Sequence, residues 1–354
     1  MESKTIDSYS KAGVNLQKIR SLQTDIGNSI KKSYSFQRIG EVISGFGHYS
    51  GLIKLESNVI ALHSDGVGTK VLICQKLNRF DTIGIDCIAM NVNDIICTGS
   101  EPFGFVDYIA LKSPNQKMVK NLMKGLVEGA KTARVAIIGG ETAVVSDLIS
   151  GDSEYAFDIS GTAIGFAKYD QLILGNNIQI EDRIIGIESN GLHSNGFTLA
   201  RKVLSKYPMS HTPSFLTKSI GEELLLPTRI YVRPVLEIIQ NSNIVLHGLA
   251  HITGGSFSKL KRLNKKIRFN LSNLPSPKGI FKQIQKDGKI DTIEMYNTFN
   301  MGIGFCLVVP KKYVDKTIDI FDKYNMPAFE IGKIDSKYRG SVVGTVDGKK
   351  YVFS

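Results

Sequence analysis

The chain contains no tryptophan and only four cysteines, Cys74, Cys87, Cys97 and Cys306, none of them in a CxxC pair. That usage gives neither a zinc knuckle nor a disulfide framework and points to reduced thiols in a cytoplasmic protein. No apolar run approaches the roughly 18 residues that a membrane span needs. The opening residues, MESKTIDSYSKAGVN, are polar and carry no apolar signal segment. There is no Walker GxxxxGK[ST] and no GxGxxG, so a bound nucleotide is held by neither common phosphate motif. Low-complexity tracts and repeats of fixed period are also lacking.

What is present is a chain of 354 residues, 42% hydrophobic and 22% charged. That is more than one hydrophobic core usually supports, so two domains are expected. Composition shifts at KYDQLILGNNIQIEDRI (168–184), which places the division near 170–180 and the domains at 1–172 and 173–354. The net charge is +11, from 44 basic and 33 acidic residues. The lysines are scattered, however. The densest basic stretch, KLKRLNKKIR (259–268), reads as solvated surface, so no nucleic-acid partner is expected. The excess charge favours encounter with a phosphorylated substrate.

Strand-like runs alternate with helical ones. NVIALHS (58–64) and FGFVDYIAL (103–111) read as strands, and NQKMVKNLMKGLVEGAKTA (115–133) as a helix. RVAIIGGET (134–142) reads as a short buried strand ending in a turn, and YAFDISGTAIGFA (155–167) as a central strand. GIDCIAMNVNDIICTG (84–99) reads as a helix with Ile85, Ile88, Val92, Ile95 and Ile96 on one side. Gly99 is its stop signal, with Pro102 just beyond. The pattern indicates α/β or α+β.

The chemistry concentrates in a few stretches. In SDGVGTK, Asp65 stands at the tip of an apolar strand. Gly66 and Gly68 permit close backbone approach, and Thr69 and Lys70 suit phosphate. The set reads either as a hairpin turn or as a loop for Mg²⁺ and phosphate. On the following helix, Asp86 and Asp94 lie about 80° apart, off the apolar stripe. That side is either a wet face or, with Asn91, Asn93 and Asp94 among apolar neighbours, a ligand-bearing one. Gly139, Gly140 and Glu141 follow an apolar strand, as a capped turn or as a third carboxylate delivered at a strand end. Asp65, Asp94 and Glu141 together would suit Mg²⁺ and ATP. In GLHSNGF, His193 is either structural or an acid–base or phosphate contact. HITGGSF (251–257) presents small residues to an anion.

Taken together and in order, SYSKAGVN, SGFG, SDGVGTK, DTIGIDCIAMNVNDIICTGSEPFGFVDYIA, GGETA, GLHSNGFTLARKVL, LLLPTRIYV, AHITGGSF and EMYNTFNMGIG resemble the phosphoribosylformylglycinamidine cyclo-ligase (aminoimidazole ribonucleotide synthetase) family over nearly the whole chain. The resemblance implies an N-terminal α/β domain whose sheet pairs with that of a second subunit, and a C-terminal α/β domain. It implies a homodimer that uses ATP and Mg²⁺ to close formylglycinamidine ribonucleotide to aminoimidazole ribonucleotide. Asp65, Asp94 and Glu141 would manage Mg²⁺ and ATP, with Gly66, Gly68, Thr69 and Lys70 along the phosphates. His193, Ser194 and Asn195, with Thr253, Gly254 and Gly255, would hold the substrate.

Two stretches depart from the family pattern. Val144, Val145 and Ser146 replace its usual Glu/Gln-Met-Pro, and Ser256 stands where a third glycine is usual. Related ATP-using families fit less well. Selenophosphate synthetases carry a reactive residue near the N-terminus, and the first cysteine here is Cys74. Thiamine-monophosphate kinases lack EMYNTFNMGIG. A non-catalytic scaffold of the same fold is the alternative of a different class.

Overall fold

Two mixed sheets carry the fold in the computed structural model, which describes residues 16–44, 46–151, 154–214, 216–240, 243–277, 279–336 and 340–353. The stretch SYSKAGVN (8–15) and Gly45 of SGFG lie outside the described residues. In the first half, helix α1 (Leu16–Lys31) precedes strands β1 (Glu41–Ser44), β2 (Gly51–Leu55) and β3 (Asn58–Gly66). Then come α2 (Val71–Leu77), α3 (Ile83–Ile96), β4 (Glu101–Leu111), α4 (Gln116–Ala133), β5 (Ala136–Val144) and β6 (Phe157–Lys168). Sheet order is β1-β2-β3-β6-β4-β5, antiparallel except for β4 with β5. β6 is the interior strand that its apolar run suggests.

Asn115 starts α4 by accepting a 3.0 Å bond from Met118 N, which satisfies one free N–H of the first turn. Met118, Leu122, Leu126 and Ala130 then recur every four residues and are buried. α3 and α4 pack closely because glycine stands at the crossing. A β-carbon at Gly84 would lie 2.2 Å from Leu126 N, and one at Gly125 2.3 Å from Asp81 O. Val59 and Ala61 of β3, and Ile159 and Ala163 of β6, are buried beside this pair, while Leu62 and Phe166 are exposed. The sheet's opposite face is therefore open.

Three expectations change. The Asp-Gly pair makes no hairpin: β3 runs through Gly66, and a 3₁₀ turn at Gly68–Lys70 leads into α2. α3 has no wet side, since Asp86, Asn91, Asn93 and Asp94 are as buried as its apolar stripe. The second half covers them. Finally, β5 is neither buried nor ended before GGET. With β6 in the interior, β5 becomes an edge strand that continues through Gly139, Gly140 and Glu141 to Val144.

The second half opens with β7 (Arg183–Glu188) and α5 (Phe197–Val203), then α6 (Ile220–Leu224), α7 (Val232–Gln240), β8 (Gly248–His251) and β9 (Arg268–Leu271). It closes with α8 (Ile280–Gly288), α9 (Thr292–Thr298), β10 (Ile303–Val309), α10 (Val314–Lys323), β11 (Ala328–Ser336), β12 (Ser341–Val346) and β13 (Lys349–Phe353). Its order is β13-β12-β9-β11-β7-β10-β8. Residues 169–182 join the two sheets, and one contiguous apolar core runs through both halves. No described helix is long and apolar enough to cross a membrane.

Candidate functional site

Alternation along β3 puts Ala61, His63 and Asp65 on the face that α3 crosses. Asn91 and Asp94, one helical turn apart, rise to meet them. Asn91 Nδ2 donates to Asp65 O at 3.2 Å, and His63 Nδ1 donates to Asn91 Oδ1 at 3.1 Å. Asp94 is clamped between two imidazoles. His251 Nδ1 lies 2.7 Å from Oδ1, and His63 Nε2 lies 3.3 Å from Oδ2. Burial opposes the charge on Asp94, but Lys259 and the two histidines overcome it and hold the carboxyl well below the usual range. Asp65 behaves oppositely. Burial, with Asp94 nearby, raises it despite His63. Its Oδ1 accepts Gly66 N at 2.8 Å.

These groups open into a cleft of about 860 Å³ between the two halves. Asp65, His63 and Asp94 line one side. Asn195, Thr253, Gly254, Lys259 and Arg262 of the second half line the other, and the β1–β2 segment with His48 and Tyr49 borders both. Thr253 Oγ1 accepts a hydrogen bond from Lys259 Nζ. Gly255 has φ 82° and Ser256 φ 47°, so Ser256, the last position of TGGS, does take a glycine-like conformation. Ser256 is held there by its own hydroxyl, which donates to Phe299 O at 2.6 Å.

Several expected residues stand elsewhere. Lys70 does not reach into the cleft. It is fully buried, 2.7 Å from Asp86 Oδ2, and donates to Leu226 O at 2.6 Å. Ser194 turns to the same cluster, donating to Asp86 Oδ1 at 3.1 Å. Thr69 is exposed, with its hydroxyl 3.2 Å from that of Thr198. Gly66 and Gly68 form the bend, and a side chain at Gly68 would meet nothing within 4 Å. His193 is 1% exposed. Its Nε2 accepts Asn190 N at 3.3 Å, so Nδ1 carries the proton, facing no partner among the described residues. Burial, with His251, Lys70 and Arg229 nearby, keeps its pKa well below the ordinary value, so the ring is neutral and sealed.

The carboxylate trio does not assemble within one chain. The pairings align Asp65 with Gly161, Asp107 and Gly140, and they align Glu141 with Tyr108, Ser160 and Gly66. Asp65 and Glu141 thus sit in adjacent rows on opposite faces. With β6 and β4 between their strands, they are roughly 14 Å apart at about 4.8 Å per strand. Glu141, with Gly139, belongs to the open side, whereas Gly140 is in the row of Asp65. Among the described residues no three His, Cys, Asp or Glu side chains are placed to hold a metal ion. Asp65 still fits a Mg²⁺ site of the kind that uses one protein carboxylate and substrate phosphates, because among the described residues its Oδ2 accepts no hydrogen bond.

The residues that composition alone did not single out are His48, His63, Lys259 and Arg262. His63 is two positions before Asp65, hence on the same face. Lys259 and Arg262 belong to the supposed solvated stretch. They sit on a 3₁₀ turn, Ser256–Arg262, whose three-residue period puts both on one side.

Residues 47–167 match the family model described as AIR synthase related protein, N-terminal domain, and residues 179–345 match the C-terminal one. A phosphoribosylformylglycinamidine cyclo-ligase of Methanocaldococcus jannaschii is 44% identical over 331 residues, covering 92% of this chain and 92% of the relative. One of Pyrococcus horikoshii is 45% identical over 330 residues, covering 92% and 95%. Among solved structures, the thiamine-monophosphate kinase of Stenotrophomonas maltophilia gives a TM-score of 0.60 at 17% identity, covering 90% of this chain and 94% of that one. Hydrogenase maturation protein HypE in complex with ATP gives 0.60 at 16% identity, covering 83% and 84%. The last two share the fold.

Proposed function

The chain belongs to the phosphoribosylformylglycinamidine cyclo-ligase family of AIR synthase related proteins, and on that premise we propose that it converts formylglycinamidine ribonucleotide and ATP to 5-aminoimidazole ribonucleotide, ADP and phosphate, in the cytoplasm, for purine synthesis. One observation of geometry supports the reading above others. A carboxylate at the end of β3, Asp65, faces an amide, hydroxyl and glycine wall from the second half, at Asn195, Thr253 and Gly254, across one cleft.

The chemistry asks for position more than for reactive side chains. An amide oxygen is a poor leaving group. Transfer of the terminal phosphoryl of ATP breaks its bond to ADP and forms an O–P bond to that oxygen, while the amide nitrogen gives up its proton to solvent, giving an iminophosphate. A nitrogen of the same molecule then attacks the carbon, phosphate departs, and the nitrogen loses its proton. Both ends belong to one substrate, so holding it folded makes closure effectively unimolecular. The protein's share is orientation and charge compensation. Asp65 would hold Mg²⁺, which offsets polyphosphate charge when bound. Gly66, Gly68 and Thr69 shape the turn beside the phosphates. Asn195, Thr253, Gly254 and Gly255 contact the ribonucleotide. Asp94 acts through His63 and His251 as a positioning residue, and His193 and Ser194 stiffen the wall behind.

The working unit is a homodimer, with residues 1–172 as the ATP-binding and dimerisation domain and 173–354 as the second. Its support is the open face of the first sheet, where Leu62, Val106, Tyr108, Ile138 and Phe166 are exposed. Glu141 lies on that side and would act at the subunit contact. The test is direct: purified protein, formylglycinamidine ribonucleotide, ATP and Mg²⁺, with aminoimidazole ribonucleotide and stoichiometric ADP as readout. Folded, ATP-binding protein that forms no product overturns the reading.

A further inference from the structure

We propose that Lys259 and Arg262 form a phosphate anchor in the cleft wall, taking the phosphate dianion of a bound ribonucleotide or nucleotide, with Thr253 and Asn195 as the neutral members of the same subsite. The chemical identity of the ligand rests on the proposed function; the subsite itself rests on geometry.

The 3₁₀ turn Ser256–Arg262 projects both cations to one side, and both line the cleft. Among the described residues neither forms an ion pair. Instead both lean on the buried ring of Tyr49, Lys259 at 5.9 Å and Arg262 at 5.2 Å from its centroid. Tyr49 is fixed in turn, its hydroxyl donating to Lys259 O at 3.2 Å. Arg262 reaches the carbonyl of His48 at 3.5 Å, a marginal contact that leaves most of its donors without a partner among the described residues.

Two neighbouring like charges in a partly desolvated wall are unfavourable unless an anion joins them. Burial lowers the pKa of Lys259. Asp94 and Asp65 partly restore it, and Arg262 lowers it further. A neutral group beside them is unsatisfied too. Among the described residues Asn195 Nδ2 is buried without a hydrogen-bond partner. Native proteins rarely leave such an atom orphaned, and Asn195 lines this cleft. Arg and Lys together, with an amide N–H and a hydroxyl, match the several acceptors of a phosphate dianion. Asp94 and Asp65 offset part of the Lys259 charge and would disfavour an anion on their own side, which leaves the Arg262 side of the wall for the phosphate.

The experiment uses the full-length protein and the variants Arg262→Ala, Arg262→Lys and Lys259→Ala. Calorimetric titration with inorganic phosphate reads the subsite without turnover. Steady-state kinetics then give KM for formylglycinamidine ribonucleotide and for ATP separately. Arg262→Ala is expected to weaken inorganic phosphate by about tenfold and to raise one KM by a similar factor, with Arg262→Lys recovering part of both. A rise in the ribonucleotide KM assigns the anchor to its 5′-phosphate, and a rise in the ATP KM assigns it to the nucleotide. Folded Arg262→Ala protein with unchanged phosphate affinity and both KM values unchanged overturns the proposal. So does wild-type protein that takes up no inorganic phosphate. Should Lys259→Ala not fold, the less enclosed Arg262 decides alone. Wild-type protein that binds phosphate yet forms no product refutes the proposed reaction and leaves the anchor standing.

Discussion

Lys70 and Asp86 meet at 2.7 Å with neither side chain reaching solvent. Asp86 also accepts Thr228 N at 2.7 Å and Thr228 Oγ1 at 2.6 Å, so one carboxylate joins the strand-to-helix bend, α3 and the chain entering α7. Removing one partner of such a pair strands the other as an uncompensated buried charge, at a cost of about 3–5 kcal/mol. Lys70→Met is therefore expected to lower unfolding stability by about that much, while surviving folded protein keeps its ATP affinity. Urea unfolding alongside ATP titration tests this. A stable variant that has lost ATP would return Lys70 to the phosphates.

Asp65→Asn should behave in the opposite way. The carboxylate stands at a strand end in the cleft, and its bond from Gly66 N survives in the amide. Turnover should fall at least about a hundredfold, the scale of losing one well-placed electrostatic group, while the melting temperature hardly moves. Near-normal kcat in this variant would remove Asp65 from the Mg²⁺ and phosphate machinery.

Acid should weaken the fold as its buried histidines are forced to charge. Burial, aided by Arg262, lowers His48 from 6.5 to about 4. Between those values the unfolded chain binds a proton that the folded chain refuses. Stability must then fall as pH drops through that window, by at most about 1.4 kcal/mol per pH unit from this group. Buried His193 and His251 act with the same sign. His48→Gln should flatten the profile without abolishing it. Urea midpoints between pH 7 and pH 4 provide the measurement, and an unaltered slope would contradict a neutral, enclosed His48.

The open sheet face gives a prediction about assembly. Val106→Lys and Ile138→Lys each place a charge among its exposed apolar residues. Sedimentation should show a dimer for the wild type and a monomer for the double variant, with far-ultraviolet dichroism preserved. A double variant that keeps the wild-type mass would locate the contact elsewhere.

Local patterns in the sequence were readable where local physics decides. The apolar spacing of Ile88, Val92 and Ile95 defines α3, and Asn115 starts α4 where a capping residue should. Pairing order is a long-range property. Nothing in residues 134–142 says that β6 will take the interior place, so Glu141 looks like a neighbour of Asp65 when it stands across the sheet. Lys70 is misread for a related reason, because its partner Asp86 belongs to another element. Lys259 and Arg262 were hidden by counting charges along the chain. A 3₁₀ turn separates those two from the lysines around them, and charge counting does not see period three.

Asn93 donates to Arg229 O and accepts from Tyr231 N, both at 2.9 Å, beside the bonds that Lys70 and Asp86 make to Leu226 and Thr228. A six-residue span of the second half is thereby stitched to the first. The halves are consequently not modules that recombination could shuffle. Grafting either onto a foreign partner would leave Asp86, Asn93 and Lys70 without their mates.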